Sequence, residues 1–164
     1  MAASRWTSEY LIALGSNQRH HRHGDPRQVI EAALEALAEA GLKVERASRI
    51  ITSRPLGPSR RAYANAAAVV LFEGAPPELL EVLQHIEAAF GRRRRGQAWS
   101  ARVLDLDIVL WSGGAWAAPG LVVPHVRFRT RDFVLRPAAQ IAGDWRDPLT
   151  GLTLRQLSAR IRRS

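Results

Sequence analysis

Two aspartates two residues apart, Asp105 and Asp107, stand in the stretch V-L-D-L-D-I-V-L at 103–110. In an extended backbone alternate residues share a face, with Cα atoms about 6.5–7 Å apart. The flanking apolar residues favour such a strand, so the two carboxylates would lie side by side. They repel unless one keeps its proton or a cation lies between them. A magnesium ion held by one or two carboxylates plus phosphate oxygens would relieve that repulsion directly. Just upstream, G-R-R-R-R-G at 91–96 is a cationic loop with a glycine at each end, and Arg102 lies three residues before Asp105. Four consecutive arginines are ordinarily a solvated face. Beside a carboxylate pair they suit a metal-bound polyphosphate, whose remaining charge mobile arginines could cover in the transition state.

The elements that must position these groups follow from periodicity. The run Y-L-I-A-L at 10–14 reads as a buried strand, with Gly15-Ser16-Asn17 as its turn. Asp25-Pro26 caps a first helix with an apolar stripe at Val29, Ile30, Ala33, Leu34 and Leu37, and Gly41 ends it. Residues 42–52 alternate loosely as one strand, and S-R-P-L-G-P-S-R-R at 53–61 is a loop of restricted shape. The alanines of 63–72 would also suit a helix, but the Val-Val-Leu-Phe end favours a strand. A second helix runs over 76–90, with Leu79, Leu83, Ile86 and Phe90 on one face and Gln84 and Glu87 together on a neighbouring one. The Asp strand follows. The order βαββαβ predicts an α+β, ferredoxin-like core, with both helices on one face of an antiparallel sheet. Beyond it, 121–125 reads as a short edge strand ending at Pro124. Residues 131–142 should be mostly helical despite Pro137, and 152–161 forms an amphipathic helix capped by Thr153. No linker divides the chain, so residues 1–164 are expected to be one domain.

Composition narrows the chemistry. The net charge is +9, and Lys43 is the single lysine among 24 cationic side chains. Arginine supplies planar forks for bidentate phosphate contacts, so anionic partners are favoured: nucleotides, phosphorylated metabolites or nucleic acid. The absence of cysteine excludes disulfides, thiolate metal sites and thiol catalysis. Neither a signal peptide nor an apolar run long enough to span a bilayer is present, and a soluble cytoplasmic protein with no membrane partner is expected. The phosphate-binding G-x-x-x-x-G-K-[ST] and the dinucleotide-binding G-x-G-x-x-G are both missing.

Other candidates are less specific. Tyr63 and Asn65 share a strand face and present an aromatic plane beside an amide, which suits a flat heterocycle or equally core packing. His20, His21 and His23 lie among arginines without a neighbouring carboxylate ligand, and read as a solvated loop rather than a metal site. Trp99 either stacks on a base or anchors its loop. His125, after a proline at a strand end, fits a structural role on these grounds alone. A βαββαβ sheet with this charge also suits a small RNA-binding domain, but carboxylates on the binding face would repel phosphate, so nucleic acid is not expected as a partner.

Taken together, the motifs resemble the 6-hydroxymethyl-7,8-dihydropterin pyrophosphokinase family. The likeness runs through A-L-G-S-N at 13–17, R-P-L-G-P at 54–58, Y-A-N-A-A at 63–67, Q-H-I-E at 84–87 and G-R-R-R-R at 91–95. It continues through W-S-A-R-V-L-D-L-D-I at 99–108, V-P-H at 123–125 and R-D-F-V-L at 131–135. The resemblance implies transfer of pyrophosphate from ATP to the hydroxymethyl group of the pterin in folate biosynthesis, with release of AMP. It further implies that Asp105 and Asp107 bind two Mg2+ ions. Tyr63, Asn65 and Phe133 would form a pterin pocket, to which Ser53 and Leu56 add backbone contacts. Gln84, Glu87, Arg94, Trp99, Arg102, Ile108, His125 and Arg131 match ATP-site positions, and Arg92 and Arg94 match a mobile catalytic loop. Gly120, Val122, Val126 and Arg54 depart from the family pattern, which implies a somewhat altered nucleotide clamp. A monomer acting on ATP and a small pterin is the expectation.

Overall fold

A computed structural model describes residues 7–53, 62–91 and 103–163. Its main sheet is built from β1 (Ser8–Ser16), β2 (Lys43–Ala47), β3 (Ile51–Ser53), β4 (Tyr63–Phe72) and β5 (Asp105–Trp111). The lateral order is β2-β4-β1-β5, with β3 also pairing β4, and every pairing is antiparallel. The two helices of the split repeat are α1 (Pro26–Glu39) and α2 (Pro76–Ala89). At the start of α1 the Asp25 carboxylate accepts the Gln28 amide at 2.9 Å, while the Gln28 side chain accepts the Asp25 amide at 3.0 Å. This reciprocal cap fixes where the helix begins.

Alternation along the strands sorts the apolar residues into two cores. Tyr10, Ile12, Leu14, Leu106 and Ile108 face α1 and α2, where they meet Val29, Ile30, Leu37, Leu79 and Leu83. Leu11, Ala13, Ala67 and Val69 face the other way, under α3 (Asp132–Ala142) and α4 (Leu154–Arg163). Both split-repeat helices thus lie on one face, as expected, and the C-terminal helices cover part of the other. The alanine run of β4 is buried on both sides, with Ala64, Ala66 and Ala68 toward one helical layer and Ala67 toward the other. A strand covered on both faces loses the apolar–polar alternation that marks a strand in sequence.

Three local expectations are corrected. The strand expected over 42–52 is split into β2 and β3. At the break, the Ser48 amide donates to the Ala67 carbonyl at 2.8 Å and the Ser48 hydroxyl accepts the Ala67 amide at 2.9 Å. The edge strand expected at 121–125 is present but shorter, and it lies outside the main sheet. It forms β7 (Leu121–Val123), which pairs with β6 (Trp116–Ala118) across Pro119-Gly120. Gly120 supplies the positive φ, +82°, that this two-residue turn requires. The histidine loop is not simply solvated. His20 is buried, its Nδ1 accepts the amides of Arg22 and His23 at 3.0 Å each, and the His23 ring stacks on Phe90. Thr153 caps α4 as expected, its hydroxyl accepting the Gln156 amide at 3.1 Å. No helix among the described residues is long and apolar enough to cross a membrane.

Candidate active site

The central strand β1 sets the geometry. Gly15 pairs with Asn65 of β4 on one side and with Asp105 of β5 on the other. In the next row Ala13 pairs with Ala67 and with Asp107. Residues opposite one another in antiparallel strands point to the same face, so Asn65, Asp105 and Asp107 rise from one surface whose floor is Gly15 and Ala13. Tyr63 extends that surface beyond Asn65. The intervening Leu106 and Ile108 point the other way, into the core beneath α1 and α2. A Cβ on Gly15 would lie 3.2 Å from the Asn65 Oδ1. The bare backbone at Gly15 is therefore what admits the Asn65 amide over the central strand, toward Asp105.

A β-bulge re-aims β5 just past the aspartates. Ile12 pairs with Ile108 but Leu11 pairs with Leu110, which leaves Val109 as the extra residue. The Val109 carbonyl accepts the His125 amide at 3.1 Å, and that contact docks the segment after β7 beside the aspartates. The His125 Nδ1 accepts the Arg127 amide at 3.2 Å, so in the neutral imidazole Nε2 carries the proton. Burial holds His125 below its ordinary pKa, the charge of Asp107 pulls it upward, and Arg131 and Arg127 push it down again. Asp107, His125 and Arg131 thus sense one another. Arg131 opens α3, and its guanidinium lies 5.6 Å above the Phe133 ring. Phe133 and Tyr63 are both about half exposed, at 49% and 47%.

Further anchoring comes from the C-terminal turn. Asp147 is fully buried and takes a bidentate contact from Arg129, together with the Thr150 hydroxyl at 2.7 Å and the Leu149 amide at 3.0 Å. Burial alone would raise this carboxyl, but those donors hold it down at about 2. Arg129 belongs to the 3₁₀ turn Phe128–Thr130, so the pair ties the segment between His125 and Arg131 to the C-terminal extension.

The expected residues are distributed unevenly. Asp105, Asp107, Asn65 and Tyr63 share one face, with His125, Arg131 and Phe133 brought up along its flank. Gln84 and Glu87 belong to α2, on the other side of the sheet, and do not share a surface as their spacing predicts. Gln84 is exposed, whereas Glu87 is buried and its Oε2 accepts the Leu106 amide at 2.9 Å. That contact occupies a backbone donor between the two aspartates of an edge strand. Ile108 is buried in the core, so its backbone is what it can offer a ligand. Ser53 pairs through its backbone with Tyr63. The Ser53 side chain and Leu56, Arg92, Arg94, Trp99 and Arg102 lie outside the described residues. Gly15, Ala13 and Asp147 went unread as site-building residues, because small residues and a lone C-terminal aspartate carry no chemical signature of their own.

The donor set suits a hard cation. Asp105 and Asp107 are partly exposed carboxylates whose strand neighbours on β1 are a glycine and an alanine. Among the described residues no group of three or more histidine, aspartate and glutamate side chains surrounds a point that could hold a metal. Magnesium retains water and phosphate oxygens in its octahedron and needs only one or two protein carboxylates, which this pair supplies.

The family model for 7,8-dihydro-6-hydroxymethylpterin-pyrophosphokinase (HPPK) matches residues 11–143. A Synechocystis 2-amino-4-hydroxy-6-hydroxymethyldihydropteridine pyrophosphokinase is 38% identical over 148 residues, covering 90% of this chain and 73% of the relative. The Methylorubrum extorquens protein of the same name is 37% identical, with 94% of each chain covered. The fold is similar to that of the wild-type Plasmodium falciparum HPPK-DHPS crystal structure, with a TM-score of 0.72 at 14% identity over 94% of this chain. This chain spans 45% of that longer one. With an antiparallel sheet of matching architecture, a family model spanning most of its length and pyrophosphokinase relatives close to its own size, the chain belongs to the HPPK family.

Proposed function

We propose that the surface formed by Asn65, Asp105 and Asp107 over Gly15 is the active centre of an ATP-dependent pyrophosphokinase. There the chain transfers pyrophosphate from ATP to the hydroxymethyl group of 6-hydroxymethyl-7,8-dihydropterin in folate biosynthesis. The observation that carries the reading is the row Asn65–Gly15–Asp105. The Asn65 amide and the Asp105 carboxylate lie on one face with β1 between them, which supports a ring contact beside a metal-binding group. Asp105 and Asp107 would hold two Mg2+ ions, which when bound neutralise triphosphate charge and lower the pKa of the attacking hydroxyl.

The chain's own groups divide the remaining work. Asn65 hydrogen-bonds the pterin edge, while Tyr63 and Phe133 flank its ring and Ser53 and Leu56 add backbone contacts. The substrate hydroxyl gives its proton to solvent as its oxygen attacks the β-phosphorus of ATP, and the bond to the α-phosphate oxygen breaks, so AMP leaves. No side chain need act as a strong base; positioning and charge stabilisation suffice. His125 and Arg131, beside Asp107, bind the nucleotide phosphates, and Arg92, Arg94 and Arg102 cover the transferring group. Trp99 and the Ile108 backbone complete the ATP site, and Glu87 on α2 steadies the aspartate strand from the other side of the sheet through the Leu106 amide. The chain acts as one pyrophosphokinase domain and as a cytoplasmic monomer. The test is to incubate the protein with ATP, Mg2+ and the pterin and identify the nucleotide product. AMP formed only when the pterin is present is expected; ADP, or no pterin-dependent turnover, refutes the reading.

A further inference from the structure

One hydrogen bond joins the two walls of the proposed pterin cleft at a distance from the ring itself. The first wall is β3 with β4, where Ile51 pairs with Asn65 and Ser53 with Tyr63. The second is α3, which packs against β4 in the cluster that holds Ala67 and Val69 and carries Phe133 in its first turn. Gln140 lies two helical turns after Phe133, on the same side of the helix. Its Oε1 accepts the Arg49 amide at 2.6 Å, a contact between residues 91 apart in sequence. Arg49 sits in the break between β2 and β3, two residues before β3 begins. The neighbouring Ser48 is already fixed to Ala67, so the bond to Gln140 sets where β3 leaves that fixed point.

Resting on the function proposed above, we propose that Gln140 is a positioning residue for the pterin cleft. By holding the Arg49 amide it sets the spacing between Phe133 on α3 and the β3–β4 wall that carries Tyr63 and Asn65. It touches neither substrate. Gln140 and Arg49 are both exposed, so an amide released from this contact finds water and the fold loses little. A cleft that must grip a flat ring on two sides is less forgiving, because a gap of about 0.5–1 Å at one wall already forfeits much of the contact attraction to the ring.

The test compares Gln140→Leu, which deletes the acceptor, with Gln140→Glu, which keeps it, in steady-state assays of AMP formation by the full chain. Gln140→Leu is expected to raise the pterin KM about three- to tenfold. The ATP KM and kcat should stay within about twofold, and Gln140→Glu should return the pterin KM to the wild-type value. Amide hydrogen exchange at Arg49 should quicken in Gln140→Leu and not in Gln140→Glu. An unchanged pterin KM with a quickened Arg49 amide would overturn the proposal, as would an equal rise in both KM values or a failure of Gln140→Glu to restore. A wild-type protein that forms no pterin-dependent AMP overturns the underlying function instead, and that control is read first.

Discussion

Asp147 offers a quantitative test of how the C-terminal extension holds the site's flank. Its carboxyl is fully buried and titrates at about 2 in the fold, against an ordinary value of 3.8. A carboxyl whose pKa is depressed on folding contributes stability that is fully present above the unfolded value and lost as pH falls through the folded one. The gap between the two values corresponds to about 2–3 kcal/mol at neutral pH, lost between about pH 4 and pH 2. Asp147→Asn keeps the shape and the acceptor for Thr150 but leaves the Arg129 guanidinium without its counter-charge. Urea denaturation of wild type and variant at pH 7 and near pH 2 separates the charge from the packing. The variant should be less stable by about 2–4 kcal/mol at pH 7, and the difference should shrink to below about 1 kcal/mol as wild-type Asp147 protonates. A difference that is the same at both pH values would refute the ion-pair argument and leave only a packing role for Asp147.

Three further outcomes follow from the geometry. Asp107→Asn should lower pterin-dependent AMP formation by about 100-fold or more with an unchanged circular dichroism spectrum; near wild-type turnover would remove its metal role. Gly15→Ala places a Cβ 3.2 Å from the Asn65 Oδ1, so it should raise the pterin KM more than the ATP KM; a Michaelis analysis of both substrates decides. Ser158 is buried on α4 and its hydroxyl has no hydrogen-bond partner among the described residues, so Ser158→Ala should stabilise the chain by about 0.5–1.5 kcal/mol, read as a higher midpoint in urea.

The carboxylate pair was legible because a period of two is the strand's own geometry, and Leu106 and Ile108 do turn into the core between and beside the aspartates. Periodicity failed where another interaction overrides it. The spacing of Gln84 and Glu87 predicts a shared face, yet the edge-strand amide of Leu106 draws the Glu87 carboxylate inward. The break between β2 and β3 depends on Ser48 pairing with Ala67, a contact between distant positions that no local pattern encodes. His20 is buried because its Nδ1 closes its own loop and its neighbour His23 stacks on Phe90. The β6–β7 hairpin could have been found, since Pro119-Gly120 between two apolar runs is the dipeptide that a turn with positive φ at its second residue selects. The roles implied for the arginine loop rest on motif alone, because residues 92–102 lie outside the described structure.

The placement of the aspartates answers an energetic problem. A carboxylate fully desolvated without a partner costs several kcal/mol, and two together would cost more, so the pair must sit where the second helical layer ends. β1 marks that boundary residue by residue on the α3 side of the sheet. Leu11 is completely buried, Ala13 is 8% exposed, and Gly15 has no side chain to cover. Along β4 the same transition runs from buried Val69 and Ala67 to partly exposed Asn65 and half-exposed Tyr63. Asp107 lies at that edge and Asp105 beyond it, both partly exposed, with His125 and Arg131 close enough to Asp107 for their charges to act together. The two sheet faces therefore separate the tasks of this short strand. Leu106 and Ile108 bind it to the core, while Asp105 and Asp107 alternate with them onto the opposite, partly exposed face.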